Sequence, residues 1–597
     1  MTLAEKRVSK LREAKPVQIS RWRIYATLIF CLLLVMRIFL RLGELQIFQS
    51  ASLTAMARKE INKQITLQPS RGMITDRQGN ILAMDVDRQS LWAIPSQIPA
   101  ERAPRLALTL AALTGQDAQK ILASLTSKDQ WWLPVVRWLE PKVAAQIAAL
   151  EESGLRLIHE PRRIYPQGDS AAHVVGAVNY NGDGISGIES FYNTELKGIT
   201  GTMTAEFDGV RQPIAIAPQQ TEPARDGATL HLTLDPVVQH IAETELAEGI
   251  KKHQADGGSV IILEPSTGAI RGMASWPTFD PNRYADFMPE TYGRNPAISV
   301  LYEPGSTLKI FTVAAGLQAR AFSADTLVND NGMIERFGLK IHNWDYKANG
   351  MITPGEMLYY SSNVAAVHLN ELTGPEKFYQ YINEFGFGQK TGIDLGGEER
   401  GIVHDAASPN YSDIMLLANA YGQSISVTPL QIAAATAAIA NDGLLMKPYM
   451  VEQRCDGNYC VTTQPTKVKQ VVEQGVAWTL RRMLVRSANH YAHAVWETKT
   501  GSKADQWLVP GYQVGAKTGT ASIPLPTGEY DPETTIVSVA GFVPAENAKY
   551  AMIVKIDRPK DDIWGTNTVV PVFYRIVDQL VRHERIPPDP TLFSPGQ

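Results

Sequence analysis

The chain has 597 residues, 57 Lys+Arg against 61 Asp+Glu, 44% hydrophobic residues and three cysteines. That length holds several domains and a large core, while a net charge of -4 argues against nucleic-acid binding carried by bulk basicity. A charged fraction of 20% with 8% aromatics excludes a disordered or coiled-coil chain, and three cysteines are too few for a disulfide-dense secreted scaffold.

Lys6, Arg7, Lys10, Arg12, Lys15, Arg21 and Arg23 open the chain, opposed by Glu5 and Glu13. Residues 24–36 are apolar and free of charge, and IFLRL follows with Arg37 and Arg41. A membrane span needs about 20 residues, which 22–42 supply once the two arginines reach the headgroups. A cleaved signal peptide shares the basic start and short apolar run, yet the nearest small-residue site, Ala55-Met56-Ala57, lies too far beyond it. The reading is a cytoplasmic tail over 1–21 and an uncleaved anchor over 22–42. The basic excess then sends the remainder outside.

Residues 43–225 alternate short β-like segments with helical patterns at 104–113 and 141–152, punctuated by RGMITDRQGN, YPQGDS and NYNGDGISG. The polar, turn-rich PQQTEPARDG at 218–227 marks a boundary. ATLHLTLD then predicts a strand, VVQHIAETELAEGIKK a helix, and GGSVIILEPSTGAIRGMAS a hairpin with a Pro-Ser-Thr-Gly turn. Helical patterns dominate 307–440, strands return at 512–557, and 586–597 form a Pro-rich tail. Helices segregated from an antiparallel-looking sheet predict an α+β class for the C-terminal part. Cys31 lies in the membrane run, whereas Cys455 and Cys460 bracket Asp456-Gly457-Asn458-Tyr459, a hairpin-turn signal. A local disulfide and two free thiols both stay open, and a lone C-x4-C is half a zinc site. His490 and His493 have metal-like spacing but no neighbouring ligands, and read as surface histidines.

Chemistry concentrates in Glu303-Pro304-Gly305-Ser306-Thr307-Leu308-Lys309, which opens the apolar IFTVAAGLQA. Pro and Gly mark a helix start, so Ser306 falls in its first turn and Lys309 on the same face. A neutral Lys amine there could take the Ser proton, and the helix N-terminus favours developing negative charge. The bland alternative is an N-capping serine and a solvated lysine. Together with S-x-x-K, an S-x-N and a K-T-G triplet decide the matter.

Three S-x-N triplets compete. Ser361-Ser362-Asn363 sits between LYY and the helical VAAVHLNEL, as an interhelical loop would; Ser408-Pro409-Asn410 carries a restrictive proline; Ser487-Ala488-Asn489 crowds the last K-T-G. Of three K-T-G triplets, Lys390-Thr391-Gly392 is in a Gly-rich turn and Lys499-Thr500-Gly501 lacks a strand pattern. Lys517-Thr518-Gly519-Thr520 leads into Ala521-Ser522, small residues that let a strand edge approach a substrate. The selected set is Ser306, Lys309, Ser361, Asn363 and Lys517, Thr518, Gly519, Thr520. A phosphate-binding P-loop is the competing class, since Gly511-x4-Ala516-Lys517-Thr518 is one residue away from that motif.

These motifs, with RGMITDRQGNILA, YPQGDSAAHVVGAVN, GISGIESFYNTELKG, ASWPTFDPN, EPGSTLK, SSNVA, FGFGQKTGIDLGGE, YGQSISVTPLQIAAATAAIANDG, KTGTA and GFVPAEN in order, resemble the class B penicillin-binding proteins, most like the division-type (penicillin-binding protein 3-like) branch. Ala516 where glycine is common, the 487–501 segment and Gly565-Thr566 depart from that pattern. The resemblance implies a mixed α/β pedestal over 43–225 and a penicillin-binding transpeptidase domain of serine β-lactamase-like fold over 226–585. It implies that Ser306 acylates on a D-Ala-D-Ala stem peptide with Lys309 as base. Ser361 would relay a proton and Asn363 orient the amine and the substrate amide, while Lys517, Thr518 and Thr520 would hold the terminal carboxylate. The Ser306 and Thr520 N–H groups would form the oxyanion hole, with no metal or other cofactor. Implied partners are stem peptides, β-lactams, the inner membrane, a membrane-embedded glycosyltransferase and other division proteins, with no nucleic acid. A β-lactam sensor, a non-catalytic scaffold and a side-wall transpeptidase share these motifs.

Overall fold

The computed structural model describes residues 21–53, 62–130, 132–206, 220–500, 509, 511–525 and 529–588. The basic residues before Arg21, the small-residue site at 55–57, Gly501 of one K-T-G triplet and residues 589–597 of the tail lie outside them.

One compact unit comprises residues 1–68 with 199–225. Its apolar helix Arg21–Gly43 runs on through a wider turn, Glu44–Phe48, and none of its side chains is buried. The 28 residues Arg21–Phe48 are long and apolar enough to cross a membrane, as read from the sequence. Arg41 pairs with Glu44 at 2.5 Å at the far end. The same unit holds an antiparallel sheet in the order Asn62–Leu67, Gly201–Glu206, Gln220–Glu222.

The second unit joins residues 69–198 to 226–597, so the 43–225 stretch contributes to both. Its central sheet has five antiparallel strands in the order Ile270–Trp276, Gly257–Leu263, Tyr550–Asp557, Tyr530–Val543, Gly515–Pro524. Side chains of a strand alternate between faces, and here both faces are covered, which is why GGSVIIL is buried at every position. Val260, Ile262, Val537, Val539, Met552 and Val554 pack under helices Pro236–His253 and Val569–His583. Ile261, Leu263, Ala540, Phe542, Ala551 and Ile553 join the larger core of the helical half. In that half, Lys309–Gln318 and Asn363–Thr373 are mostly buried and Pro429–Ala440 is buried throughout.

Sequence periodicity anticipated the helix Pro236–His253, the helices within 307–440, the strands within 512–557 and the Gly257–Trp276 hairpin, and gave no helix over Val569–His583. It missed four short strands inside the supposedly helical 307–440 stretch. Val328–Asp330 pairs with Gly350–Ile352, and Met333–Arg336 with Leu339–His342. Strands of three or four residues carry too few repeats to register a period. A second, seven-stranded sheet places Ile74–Thr75 parallel to Thr229–Leu232, and the hairpin Val451–Asp456/Tyr459–Thr462 continues it. Cys455 and Cys460 are opposite residues of that hairpin and form a disulfide, which settles the open pairing and removes the zinc alternative.

Candidate active site

Ser306 lies in a single 3-10 turn, Gly305–Leu308, and Lys309 begins the α-helix that continues it. Gly305 is obligatory for two reasons: its φ is +56°, and a Cβ would sit 2.8 Å from the Thr520 carbonyl oxygen. Gly519 meets it from the other side, since a Cβ there would lie 2.6 Å from the Pro304 oxygen. The two glycines thus let the serine turn press directly onto the strand that carries Lys517.

Pro354–Tyr360, opened by a Thr353/Glu356 capping box, ends at Ser361 in the left-handed conformation with φ 56°. Ser362 then caps Asn363–Thr373 by accepting from the Ala365 N–H. This sharp corner turns Ser361 and Asn363 onto the lysine. Lys309 Nζ donates to the Ser361 carbonyl at 2.6 Å, to Asn363 Oδ1 at 2.8 Å, and lies 3.4 Å from Ser361 Oγ. Lys517 Nζ donates to the same Ser361 Oγ at 3.0 Å and to the Thr518 carbonyl at 3.1 Å. Both lysines are fully buried. Burial, then the neighbouring Lys517 charge, hold the Lys309 amine well below the ordinary lysine range, with Asp330 opposing the shift. The Ser306 hydroxyl, half-buried, has no hydrogen-bond partner among the described residues.

The structure therefore brings Ser306, Lys309, Ser361, Asn363 and Lys517 to one place. Alternation along Gly515–Pro524 directs Lys517 and Gly519 toward the serine turn, because Ala516 packs into the opposite core. Thr518 and Thr520 alternate with them along this edge strand of the sheet, and Thr520 Oγ1 accepts from the Gly565 N–H at 3.4 Å. The P-loop alternative fails, since its lysine must open a helix, whereas Lys517 sits within an antiparallel strand.

The rejected triplets are explained too. Lys390-Thr391-Gly392 is a turn lashed to Glu398, which accepts from the Thr391 and Gly392 N–H groups. Ser408 lies in an exposed turn region, and Ser487 is buried inside helix Gln474–Thr500, donating to the Leu358 carbonyl. His490 packs on the Tyr359 ring at 4.2 Å rather than standing free on the surface.

Sequence reasoning missed several neighbours of the site. Asn343, just after the strand Leu339–His342, and Asp330, at the end of Val328–Asp330, support the Ser361 corner. Trp344 and Trp564, both partly exposed, meet edge-to-face at 5.5 Å, one beside Asn343 and the other beside Gly565. Glu303 accepts from the Ser424 N–H at 3.0 Å and the Tyr530 hydroxyl at 3.1 Å, and burial raises its pKa.

Residues 258–578 match the family model described as penicillin binding protein transpeptidase domain, and 66–232 match the penicillin-binding protein dimerisation domain. The chain belongs to the class B penicillin-binding proteins. Among relatives of this family, stage V sporulation protein D of Bacillus subtilis is 32% identical over 564 residues, 93% of this chain and 85% of that protein. Peptidoglycan D,D-transpeptidase FtsI of Escherichia coli is 27% identical over 601 residues, covering 99% and 96% respectively. Penicillin-binding protein 3 of Mycobacterium tuberculosis, solved with aztreonam, superposes with a TM-score of 0.66 at 25% identity, covering 89% of this chain and all of that one. A peptidoglycan synthetase from Bifidobacterium adolescentis reaches 0.70 at 24% identity over 89% and 99%, and shares the fold.

Proposed function

We propose that this class B penicillin-binding protein is a division-type peptidoglycan D,D-transpeptidase whose nucleophile is Ser306. The observation that carries the assignment is the Lys309 environment. Two carbonyl-type acceptors, Ser361 O and Asn363 Oδ1, take up the two hydrogens of a neutral amine and leave its lone pair for a hydroxyl proton. Ser306 Oγ then attacks the carbonyl between the two D-alanines as its proton passes to Lys309 Nζ. The tetrahedral oxyanion is received by the Ser306 and Thr520 N–H groups. The C–N bond breaks, a proton routed through Ser361 goes to the leaving D-alanine amine, and an acyl-ester remains on Ser306. Lys517, Thr518 and Thr520 hold the terminal carboxylate, and Asn363 orients the amine and the substrate amide. An amine of a second stem peptide attacks the ester and restores Ser306, so the cycle needs only these side chains and backbone groups.

The same reading assigns 1–21 to the cytoplasm, 22–42 to the inner membrane, 43–225 to a pedestal outside it that docks a membrane-embedded glycosyltransferase and other division proteins, and 226–585 to catalysis. Its support is the basic excess before the apolar helix. Fluorescent penicillin labelling tests the chemistry: the wild type takes one label per chain and Ser306→Ala takes none. Equal labelling of the two, or none of the wild type, overturns it. Cross-linked product from pentapeptide substrate, measured with a glycosyltransferase present, separates an enzyme from a sensor.

A further inference from the structure

The corner that grips Lys309 is itself gripped. Asn343, which follows the short strand Leu339–His342, is 2% exposed and stands against the start of helix Asn363–Thr373. Its Oδ1 accepts from Asn363 N at 2.9 Å, Ser362 Oγ at 3.1 Å and Val364 N at 3.2 Å. These include the first N–H groups of the helix, which have no partner inside it. With Oδ1 so committed, the amide nitrogen must face acceptors, and it donates to both oxygens of Asp330 at 2.8 and 2.9 Å and to the Lys347 carbonyl at 2.8 Å. Asp330 has no exposed surface. Asn349 Nδ2 and the Gly332 N–H complete its shell at 2.6 and 2.9 Å. Among the described residues every contact on this carboxylate is a neutral N–H, so no adjoining cation there cancels its charge.

We propose that Asp330 is a positioning residue, acting through the Asn343 amide, that fixes the Ser361–Asn363 corner on Lys309 and sets the pH range over which Ser306 acylates. The proposal rests on Ser306 and Lys309 holding the roles given above. Two effects follow from one buried anion. Geometrically, the carboxylate polarises Asn343, which orders the backbone of Ser361 and the side chain of Asn363, the two strong acceptors of Lys309. Electrostatically, a negative charge in a low-dielectric core offsets the cation of Lys517, so the amine is kept from losing its proton affinity altogether. A general base works best with a pKa near the operating pH, and a lysine pulled too far down would be a poor acceptor. The charged groups acting on Lys309 are Lys517 from the Gly515–Pro524 strand and Asp330 from Val328–Asp330; His342, whose carbonyl accepts from Asn363 Nδ2, is the titratable ring of the adjoining hairpin.

The test is the pH profile of penicillin acylation, resolved into the binding constant K and the limiting rate k2, for the wild-type chain, Asp330→Asn and Asn343→Ser. Asp330→Asn keeps size and shape but removes the charge. It lowers k2 by about ten-fold at neutral pH with K little changed, and moves the acid limb to lower pH, because Lys309 without its anion gives up its proton more readily. Asn343→Ser lowers k2 with the limb unmoved, since the charge remains. An Asp330→Asn profile with the wild-type limb overturns the proposal, as does an unchanged k2 in Asn343→Ser, which carries the test should Asp330→Asn fail to fold. Failure of the underlying reading looks different: the wild type itself would take no label, or Ser306→Ala would take it.

Discussion

Lys309 and Lys555 are 0% and 1% exposed, on neighbouring parts of one core, and their partners differ in kind. Lys555, on the Tyr550–Asp557 strand, meets the carboxylate of Asp557 on its own strand and stands 5.2 Å from the centre of the Tyr302 ring. Charge meets charge there, and the ring contact ties the strand to the segment leading into Glu303. Lys309 meets a carbonyl, an amide oxygen and a hydroxyl, with a second lysine sharing that hydroxyl. Burial alone therefore does not make a base. On the role proposed for Lys309, a buried lysine becomes one when its acceptors are neutral and the stronger charge acting on it has the same sign.

Replacing each lysine by methionine is the strongest way to break that contrast. Lys309→Met should lower acylation by about a thousand-fold, the scale of a lost general base. Its effect on stability should be the reverse of a usual core mutation. A lysine with a lowered folded pKa binds fewer protons folded than unfolded, so stability rises with pH between the lowered value and the ordinary one. Below that window the burial penalty is fully present. Lys309→Met should thus melt about 2 °C higher than wild type at neutral pH, with the gap closing toward pH ~10.4, as scanning calorimetry would read. Unchanged acylation, or a melting gap independent of pH, would break the distinction.

Lys555→Met should do the opposite. It leaves Asp557 without its partner and costs about 2 kcal/mol of stability, because that carboxylate is partly exposed and water repays some of the loss. Acylation per folded molecule should stay within about two-fold of wild type. A large loss of acylation at full stability would place Lys555 in the chemistry and erase the comparison.

The smallest effect on acylation belongs to the disulfide hairpin, which carries neither lysine. Replacing Cys455 and Cys460 by serine opens a short loop, worth about 2 kcal/mol in the chain-entropy model, and should leave k2 unchanged. Thermal melting with and without reductant checks the first part, and penicillin labelling the second.

The proposed reacting groups were legible in the sequence because their chemistry demands fixed residue types at short spacings. Ser306 and Lys309 share one turn, Ser361 and Asn363 one corner, and Lys517 to Thr520 one strand. The hairpin was legible in GGSVIILEPSTGAIRGMAS for the same local reason. What escaped was non-local. Asp330 ends a strand of three residues and Asn343 follows one of four, neither with a readable period, and their meaning depends on packing against a helix that starts at Asn363. The parallel pairing of Ile74 with Leu230 joins segments far apart in the chain, and no alternation pattern announces it. The aromatic pair Trp344 and Trp564 is likewise made by folding, since the two rings come from opposite sides of the site.

On the proposed reading, the Ser306 hydroxyl beside Lys309, whose proton affinity is lowered by burial and by Lys517, becomes the acyl carrier. Peptide mapping by mass spectrometry after brief exposure to a β-lactam tests it most directly. A single adduct is expected, on the peptide containing Ser306, formed on the wild type and absent from Ser306→Ala. An adduct on Ser361 or any other residue, or no adduct on a folded wild-type chain, would contradict it.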